Sequence, residues 1–284
     1  MQGNDSSQFI PQLRCILSEP RLYQRLVHFK DSNAQTLLDL LQLLLDVPEL
    51  DTQLRRSLIA ATQRLSRKSG RYPICYELKG VKQVETEPVT AGGFADIYRA
   101  EFKGKVVCLK VARLYQDSQL EYLLKQFSKE VILWGQLSHP NVLPMYGVYR
   151  FKNKLCLVAP WMENGDIGIY LKKNPKANRH SLCADIVQGL QYLHKESIVH
   201  GDLKGANILI HETGKACLSD FGISGVLDSN IVAWTSQSSV ASKGGSVRWQ
   251  APELFDMEKD EEVKNSPYSD MYALGCVFYE VSCS

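Results

Sequence analysis

The chain has 284 residues, of which 44% are hydrophobic and 23% charged, as in an ordinary globular protein. Its 33 basic and 31 acidic residues nearly cancel, which argues against charge-driven binding to nucleic acid or to a membrane surface. The eight cysteines are scattered, and the chain shows no signal peptide and no apolar stretch long enough to span a bilayer, so we expect free thiols in the cytoplasm or the nucleus.

Residues 1–75 are predicted to form a small all-α module, because leucines recur there with helical spacing. Side chains that favour helix N-termini precede two of the apolar stretches. Ser32 or Asn33 is expected to cap one helix, and Asp51 or Thr52 the next. No heptad pattern lasts beyond two or three turns, so these stripes indicate a core of the module itself and not a coiled coil.

From about residue 81 the pattern changes from helices to strands and then back to helices. Strands are predicted at 81–89, 97–102, 105–111, 145–149 and 155–159, and helices at 119–137, 166–173, 180–194 and 269–284. A strand-rich part followed by a helix-rich part predicts an α+β fold in two lobes.

A glycine-containing turn and a strand lysine are the first residues that indicate chemistry. The small residues at 90–97 would let backbone N–H groups approach a phosphate, although an ordinary hairpin turn explains them equally well. Lys110 lies inside an apolar strand, where an ammonium group needs an anion. Glu130, on the next predicted helix, is a candidate partner, and the alternative is that the two are unrelated surface charges.

The segment His200-Gly201-Asp202-Leu203-Lys204-Gly205-Ala206-Asn207 carries three functional side chains on one short loop. The carboxylate of Asp202 could accept a hydroxyl proton, and the ammonium of Lys204 could stabilise a migrating phosphoryl group. The amide oxygen of Asn207 could bind a divalent metal, and Asp220, in Asp-Phe-Gly, would supply a carboxylate to it.

Taken in order, these motifs and Ala251-Pro252-Glu253 resemble the signature set of eukaryotic protein kinases over about residues 81–284. His139-Pro140-Asn141-Val142 and residues 248–253 are similar to the tyrosine-kinase-like group, particularly a fungal type with a helical N-terminal extension. The resemblance implies a bilobal protein kinase fold, with the small lobe and hinge at 81–162 and a partial large lobe at 163–284.

The resemblance also implies a set of site residues for ATP and Mg²⁺. The catalytic residues would be Asp202, Lys204, Lys110 and Glu130, and the metal ligands Asn207 and Asp220. The nucleotide-binding residues would be Val89, Thr90, Ala91, Gly92, Gly93, Phe94, Ala95, Ile97, Cys108, Lys110, Pro160, Met162 and Leu209.

Two departures from the kinase pattern leave two functions open. Thr90 and Ala95 stand where the first and third loop glycines are usual, and the chain stops after the helix at 269–284, so the large lobe is expected to be truncated. The alternative is that a partner chain covers the exposed apolar face of this helix. The first reading is a signalling Ser/Thr kinase that acts on protein substrates. The alternative is an impaired kinase fold that binds nucleotide and acts through protein contacts.

Overall fold

The computed structural model describes residues 6–47, 50–83, 85–91, 95–112, 127, 130–152, 154–220, 247–255 and 265–283. The chain forms two compact units. The first contains Met1–Gly80, Arg113–Gln136 and Tyr146–Leu157, and the second contains Val81–Ala112, Leu137–Met145 and Val158–Ser284. All eight cysteines are among the described residues, and all are free thiols.

The first unit begins with a bundle of amphipathic helices. They are α1 (Ser6–Ser18), α2 (Pro20–Leu26), α3 (Asp31–Leu45) and α4 (Thr52–Ser69), and a 3₁₀ turn follows at Ile74–Tyr76. The bundle core is made of aliphatic side chains from all four helices, with Leu38, Leu41, Leu58 and Leu65 almost fully excluded from solvent. These residues are spaced by three and seven positions, as the leucine pattern predicts.

The two predicted helix caps differ in outcome. Asp51 caps α4 as expected, since its carboxylate accepts hydrogen bonds from the backbone N–H groups of Gln53 and Leu54. The cap predicted at Ser32 or Asn33 is wrong. Helix α3 begins one residue earlier, at Asp31, and its N-terminus has no side-chain cap. The carboxylate of Asp31 in the first turn instead places a negative charge near the positive end of the helix dipole.

The first unit also contains a helix, one strand and the first four residues of another strand. Residues 130–135 are helical and are called α5 here, and residue 127 is helical as well. The rest of the predicted helix at 119–137 lies outside the described residues, apart from Gln136. Strands β5 (Gly147–Phe151) and β6 (Lys154–Pro160) are neighbours in a sheet. The N–H of Leu78 donates to the carbonyl of Val148 and so fastens the end of the N-terminal segment to β5 (2.8 Å).

The second unit begins with four antiparallel strands. They are β1 (Lys82–Gln83), β2 (Thr90–Ala91), β3 (Ala95–Phe102) and β4 (Lys105–Ala112), and β3 pairs with each of the others. The single strand predicted at 81–89 is wrong, because the chain bends at residues 86 and 87, between β1 and β2. Pro88 follows the bend and lacks the N–H that a continuing strand would need.

The rest of the second unit is mainly helical. It contains α6 (Ile167–Lys173), α7 (Arg179–Lys195), a hairpin of β7 (Ile208–Ile210) and β8 (Ala216–Leu218), and α8 (Pro267–Cys283). The predicted α+β class is confirmed. Helix α8 buries one face, whereas Tyr268, Met271, Tyr272 and Tyr279 are between 44% and 82% exposed. Among the helices that the structure describes, none is both long enough and apolar enough to cross a membrane.

Candidate active site

Asp202, Lys204 and Asn207 lie in one hydrogen-bonded cluster, as their sequence spacing predicts. The ammonium of Lys204 donates to Asp202 Oδ2 (2.7 Å), and Asn207 Nδ2 donates to the same oxygen (3.0 Å). Asn207 Nδ2 also donates to the backbone carbonyl of Asp202 (2.7 Å), which closes the loop on itself. The carboxylate is therefore held by two donors within five residues of chain.

The backbone before Asp202 is fixed by a buried carboxylate on α8. Asp270 is 1% exposed, and its two oxygens accept the backbone N–H groups of His200 and Gly201, each at 2.8 Å. His194 Nε2 contacts the same carboxylate at 2.7 Å. Gly201 has φ +75°, a left-handed conformation that glycine adopts at little cost. These contacts set the direction in which the chain enters the Asp202 loop.

His200 supports the loop from inside the core. Its side chain is fully buried, and burial lowers its pKa below the ordinary value in spite of the nearby carboxylates, so the imidazole is neutral. Its Nδ1 accepts the backbone N–H of Asp202 (3.4 Å), which places the ring proton on Nε2. His200 therefore holds Asp202 through the backbone N–H of that residue.

The β7–β8 hairpin brings Asp220 beside Asn207. The backbone N–H and the hydroxyl of Ser219 both donate to the carbonyl of Asn207, at 2.9 and 3.0 Å. Asp220 follows directly and has φ +54°, a conformation that is unusual for a residue other than glycine. Lys110 on β4 donates to Asp220 Oδ1 at 2.6 Å. The ammonium of Lys110 is the main reason why the pKa of Asp220 lies below its ordinary value.

Replacing Lys110 with methionine is expected to raise the pKa of Asp220, because methionine keeps the length of the side chain and removes the charge. A depressed carboxyl pKa stabilises the fold above the unfolded-state value of about 3.9, and this contribution fades as the pH falls through the folded-state value. Carboxyl-carbon NMR titration of Asp220 in both proteins measures the shift. A pKa that stays the same in the Lys110→Met protein would contradict the assignment.

The residues expected around a nucleotide are distributed over the strands of the second unit. Thr90 pairs with Ile97, Ala91 with Asp96, Ala95 with Ala112, and Ile97 with Lys110. Val89 donates its N–H to the carbonyl of Ile97 (2.8 Å). Cys108 lies two residues before Lys110 on the same face of β4, and burial raises the pKa of its thiol.

The segment after β6 also touches β4. Pro160 ends β6, and the N–H of Trp161 donates to the carbonyl of Val106 (3.3 Å). Met162 is buried, and its carbonyl accepts the N–H of Gly165 (2.9 Å). Leu209 lies in β7. These contacts hold the backbone of Trp161 and Met162, in the stretch whose Pro160 and Met162 are expected to bind the nucleotide.

The side-chain oxygen atoms of Asn207 and Asp220 are suitable ligands for a divalent metal ion. The Nδ2 of Asn207 is engaged by Asp202, so Oδ1 is the amide atom suited to a metal. Asp220 adds a carboxylate that stays ionised, because its pKa is lowered. Amide and carboxylate oxygens are the ligands that hard cations such as Mg²⁺ prefer.

Some predicted residues are not part of this description. Gly92, Gly93 and Phe94 of the glycine turn, and Phe221 and Gly222 after Asp220, lie outside the described residues. Glu130 belongs to the first unit and is described with it below.

Two supporting residues were missed by the sequence analysis. Neither Asp270 nor Glu280 was singled out there, and both lie in the helix predicted at 269–284. Glu280 Oε2 accepts the backbone N–H of Gly205 (3.0 Å) and the indole N–H of Trp249 (2.9 Å). The sequence does contain a signal for both residues. A carboxylate in an otherwise apolar helix needs hydrogen-bond donors from elsewhere in the fold.

The chain matches the model of the protein kinase domain over residues 84–284. It is 38% identical over 196 residues to the serine/threonine-protein kinase RUNKEL of Arabidopsis thaliana, covering 65% of this chain and 14% of that protein. It is 29% identical over 202 residues to the serine/threonine/tyrosine-protein kinase HT1 of Arabidopsis thaliana, covering 68% and 48%. A probable serine/threonine-protein kinase of Dictyostelium discoideum is 28% identical over 198 residues, covering 67% and 11%.

The chain thus spans less than half the length of these three relatives. The match extends through both the strand-rich and the helix-rich parts of the second unit, and it agrees with the predicted kinase fold. The chain belongs to the protein kinase domain family.

Proposed function

We propose that this chain is a protein kinase that transfers the γ-phosphoryl group of ATP to serine or threonine hydroxyls of proteins, with Mg²⁺. Protein kinase domains in general use ATP and a divalent metal ion and act on proteins. The observation that carries the proposal is the cluster of Asp202, Lys204 and Asn207, in which one carboxylate oxygen is held by an ammonium and an amide.

Each side chain has a distinct task in this proposal. Asp202 orients the substrate hydroxyl and accepts its proton as the oxygen bonds to the γ-phosphorus and the bond to the ADP oxygen breaks. Lys204 balances the charge that develops on the transferred group. Bound Mg²⁺ neutralises phosphate charge, and Asn207 and Asp220 would hold it. Lys110 would bind the α- and β-phosphates, with Glu130 as its partner.

The finer assignments are also proposals. We assign residues 1–75 to a helical module and 81–284 to the kinase domain. We place the domain in the tyrosine-kinase-like group, of the fungal type with a helical N-terminal extension, because of residues 139–142 and 248–253. The free thiols of all eight cysteines support a reducing compartment, such as the cytoplasm or the nucleus. We also propose that a partner chain covers the exposed face of α8.

The test is phosphotransfer from γ-labelled ATP to a generic protein substrate, followed by phosphoamino-acid analysis. Label in phosphoserine or phosphothreonine that disappears when EDTA removes the metal is the expected result. Label in phosphotyrosine alone would contradict the proposed specificity. Nucleotide binding without any transfer by the folded chain would favour the alternative of an impaired kinase fold that acts through protein contacts.

A further inference from the structure

The helical bundle of the first unit contacts the residue that follows the Glu130 helix, α5. Gln136 comes directly after α5, and both ends of its side-chain amide are bound. Its Nε2 donates to Gln42 Oε1 on α3 (3.0 Å) and to the hydroxyl of Tyr76 (3.2 Å). Its Oε1 accepts from the guanidinium of Arg55 on α4 (3.2 Å). The end of α5 is therefore tied to two helices of the bundle and to the segment after them.

Tyr76 forms the centre of this contact. Its hydroxyl donates to Gln42 Oε1 (3.0 Å), and burial raises its pKa, so the hydroxyl keeps its proton. Its ring packs against the backbone of Gly135, the last residue of α5. A Cβ at that position would lie 2.4 to 2.5 Å from atoms of the tyrosine side chain. Only glycine lets the tyrosine come this close.

A second contact lies on the other side of Glu130 in the sequence. The rings of Tyr72 and Phe127 meet edge to face with centroids 6.2 Å apart, and Phe127 is buried. Tyr72 is itself held through its carbonyl, which accepts from Gln35 on α3 (3.0 Å). Residues from the N-terminal segment thus hold the chain three residues before Glu130 and six residues after it.

We propose that the N-terminal module sets the position of Glu130, with Gln136, Gln42 and Tyr76 as positioning residues for the proposed kinase reaction. The inference rests on the proposed function. Most of the stability of a helix in a folded protein comes from the packing of its faces, so the orientation of α5 depends on the residues that it contacts. Catalytic side chains need to be held to within about 0.5 Å, and the hydrogen bonds to Gln136 supply such a constraint at the end of α5.

A matched pair of substitutions in the full chain separates this contact from general damage to the bundle. Gln42 and Gln63 are both buried glutamines of the bundle, 4% and 7% exposed. Gln42 reaches Gln136, whereas Gln63 Nε2 has no hydrogen-bond partner in the part of the chain that the structure describes. Gln42→Leu and Gln63→Leu therefore make the same chemical change. They differ in the link to α5 and in the hydrogen bond from Gln42 Nε2 to Asp46 at the end of α3 (3.0 Å).

The first measurement is amide hydrogen exchange of residues 130–136. Gln42→Leu is expected to speed exchange there by about tenfold or more, the loss that one or two net hydrogen bonds would give. Gln63→Leu is expected to leave the exchange of this segment unchanged. Equal exchange in the two variants would overturn the proposal. If Gln42→Leu does not fold, Tyr76→Phe, which removes a single oxygen atom, decides in the same assay.

The second measurement tells whether a loss of activity comes from a misplaced Glu130 or only from a smaller fraction of folded protein. Gln42→Leu is expected to raise the KM for ATP several-fold, which a loss of folded protein cannot do, and Gln63→Leu is expected to leave it unchanged. An unaltered KM in Gln42→Leu, together with faster exchange, would overturn the positioning role. If no variant and no parent transfers phosphate, the proposed function fails, and the dissociation constant for ATP replaces KM in this comparison.

Discussion

Replacing Asp202 with asparagine is expected to lower the phosphotransfer rate by a factor of about 10² to 10⁴, the usual contribution of a general base. Asparagine has the same shape and keeps one oxygen to accept from Lys204 and Asn207, so the loop is expected to keep its conformation. What is lost is the negative charge and the ability to take the hydroxyl proton. The rate is measured with γ-labelled ATP at saturating substrate.

Asp185→Asn is the matched control, because it is the same substitution in the same unit. Asp185 accepts the backbone N–H of Ala216 (3.0 Å), a bond that asparagine can also accept, and it has no part in the proposed site. Its rate is expected to stay close to that of the parent. Asp202→Asn protein that keeps most of the parental rate would remove Asp202 from its proposed role.

The second large effect concerns stability. Asp270→Ala is expected to lower the free energy of unfolding by about 3–5 kcal/mol, because two backbone N–H groups and His194 lose their common acceptor inside the core. Asp270→Asn is expected to lie between the alanine variant and the parent, since it keeps one acceptor oxygen. Chemical denaturation followed by circular dichroism gives the free energies.

Asp185→Ala provides the comparison for this effect. It removes an acceptor of one backbone N–H at a partly exposed position, so we expect a loss of about 1 kcal/mol. Equal losses for Asp185→Ala and Asp270→Ala would show that the three contacts of Asp270 contribute no more than one ordinary hydrogen bond.

The sequence predicts those contacts of the site that join residues close together in the chain. Asp202, Lys204 and Asn207 lie within six residues, so their spacing alone brings them together, and the link from Asn207 to Asp220 spans one short hairpin. The Lys110–Asp220 contact joins distant residues, and it was not predicted as a pair, because the lysine was expected to bind Glu130 and phosphates.

The supporting contacts could not be read from spacing. Asp270 and Glu280 act on residues about seventy positions earlier, and Gln42 bonds to a residue 94 positions later. Hydrophobic period identifies a helix and its buried face, but it does not tell which loop a polar side chain of that helix will meet. The shortened strands at 82–83 and 90–91 have a local cause, since they depend on one proline and one bend.

The two carboxylates of α8 bear on the order in which a newly made chain acquires its structure. Gly201 finds its acceptor 69 residues later, and Gly205 finds its own 75 residues later. Closing a loop of this length costs chain entropy, and only the contacts that the completed helix makes can offset this cost. On the ribosome the N-terminal helices can pack from neighbouring segments as they emerge. The backbone of the Asp202 loop, by contrast, meets its acceptors on α8 only after that helix has left the exit tunnel, so we expect the N-terminal helices to fold before this loop is assembled.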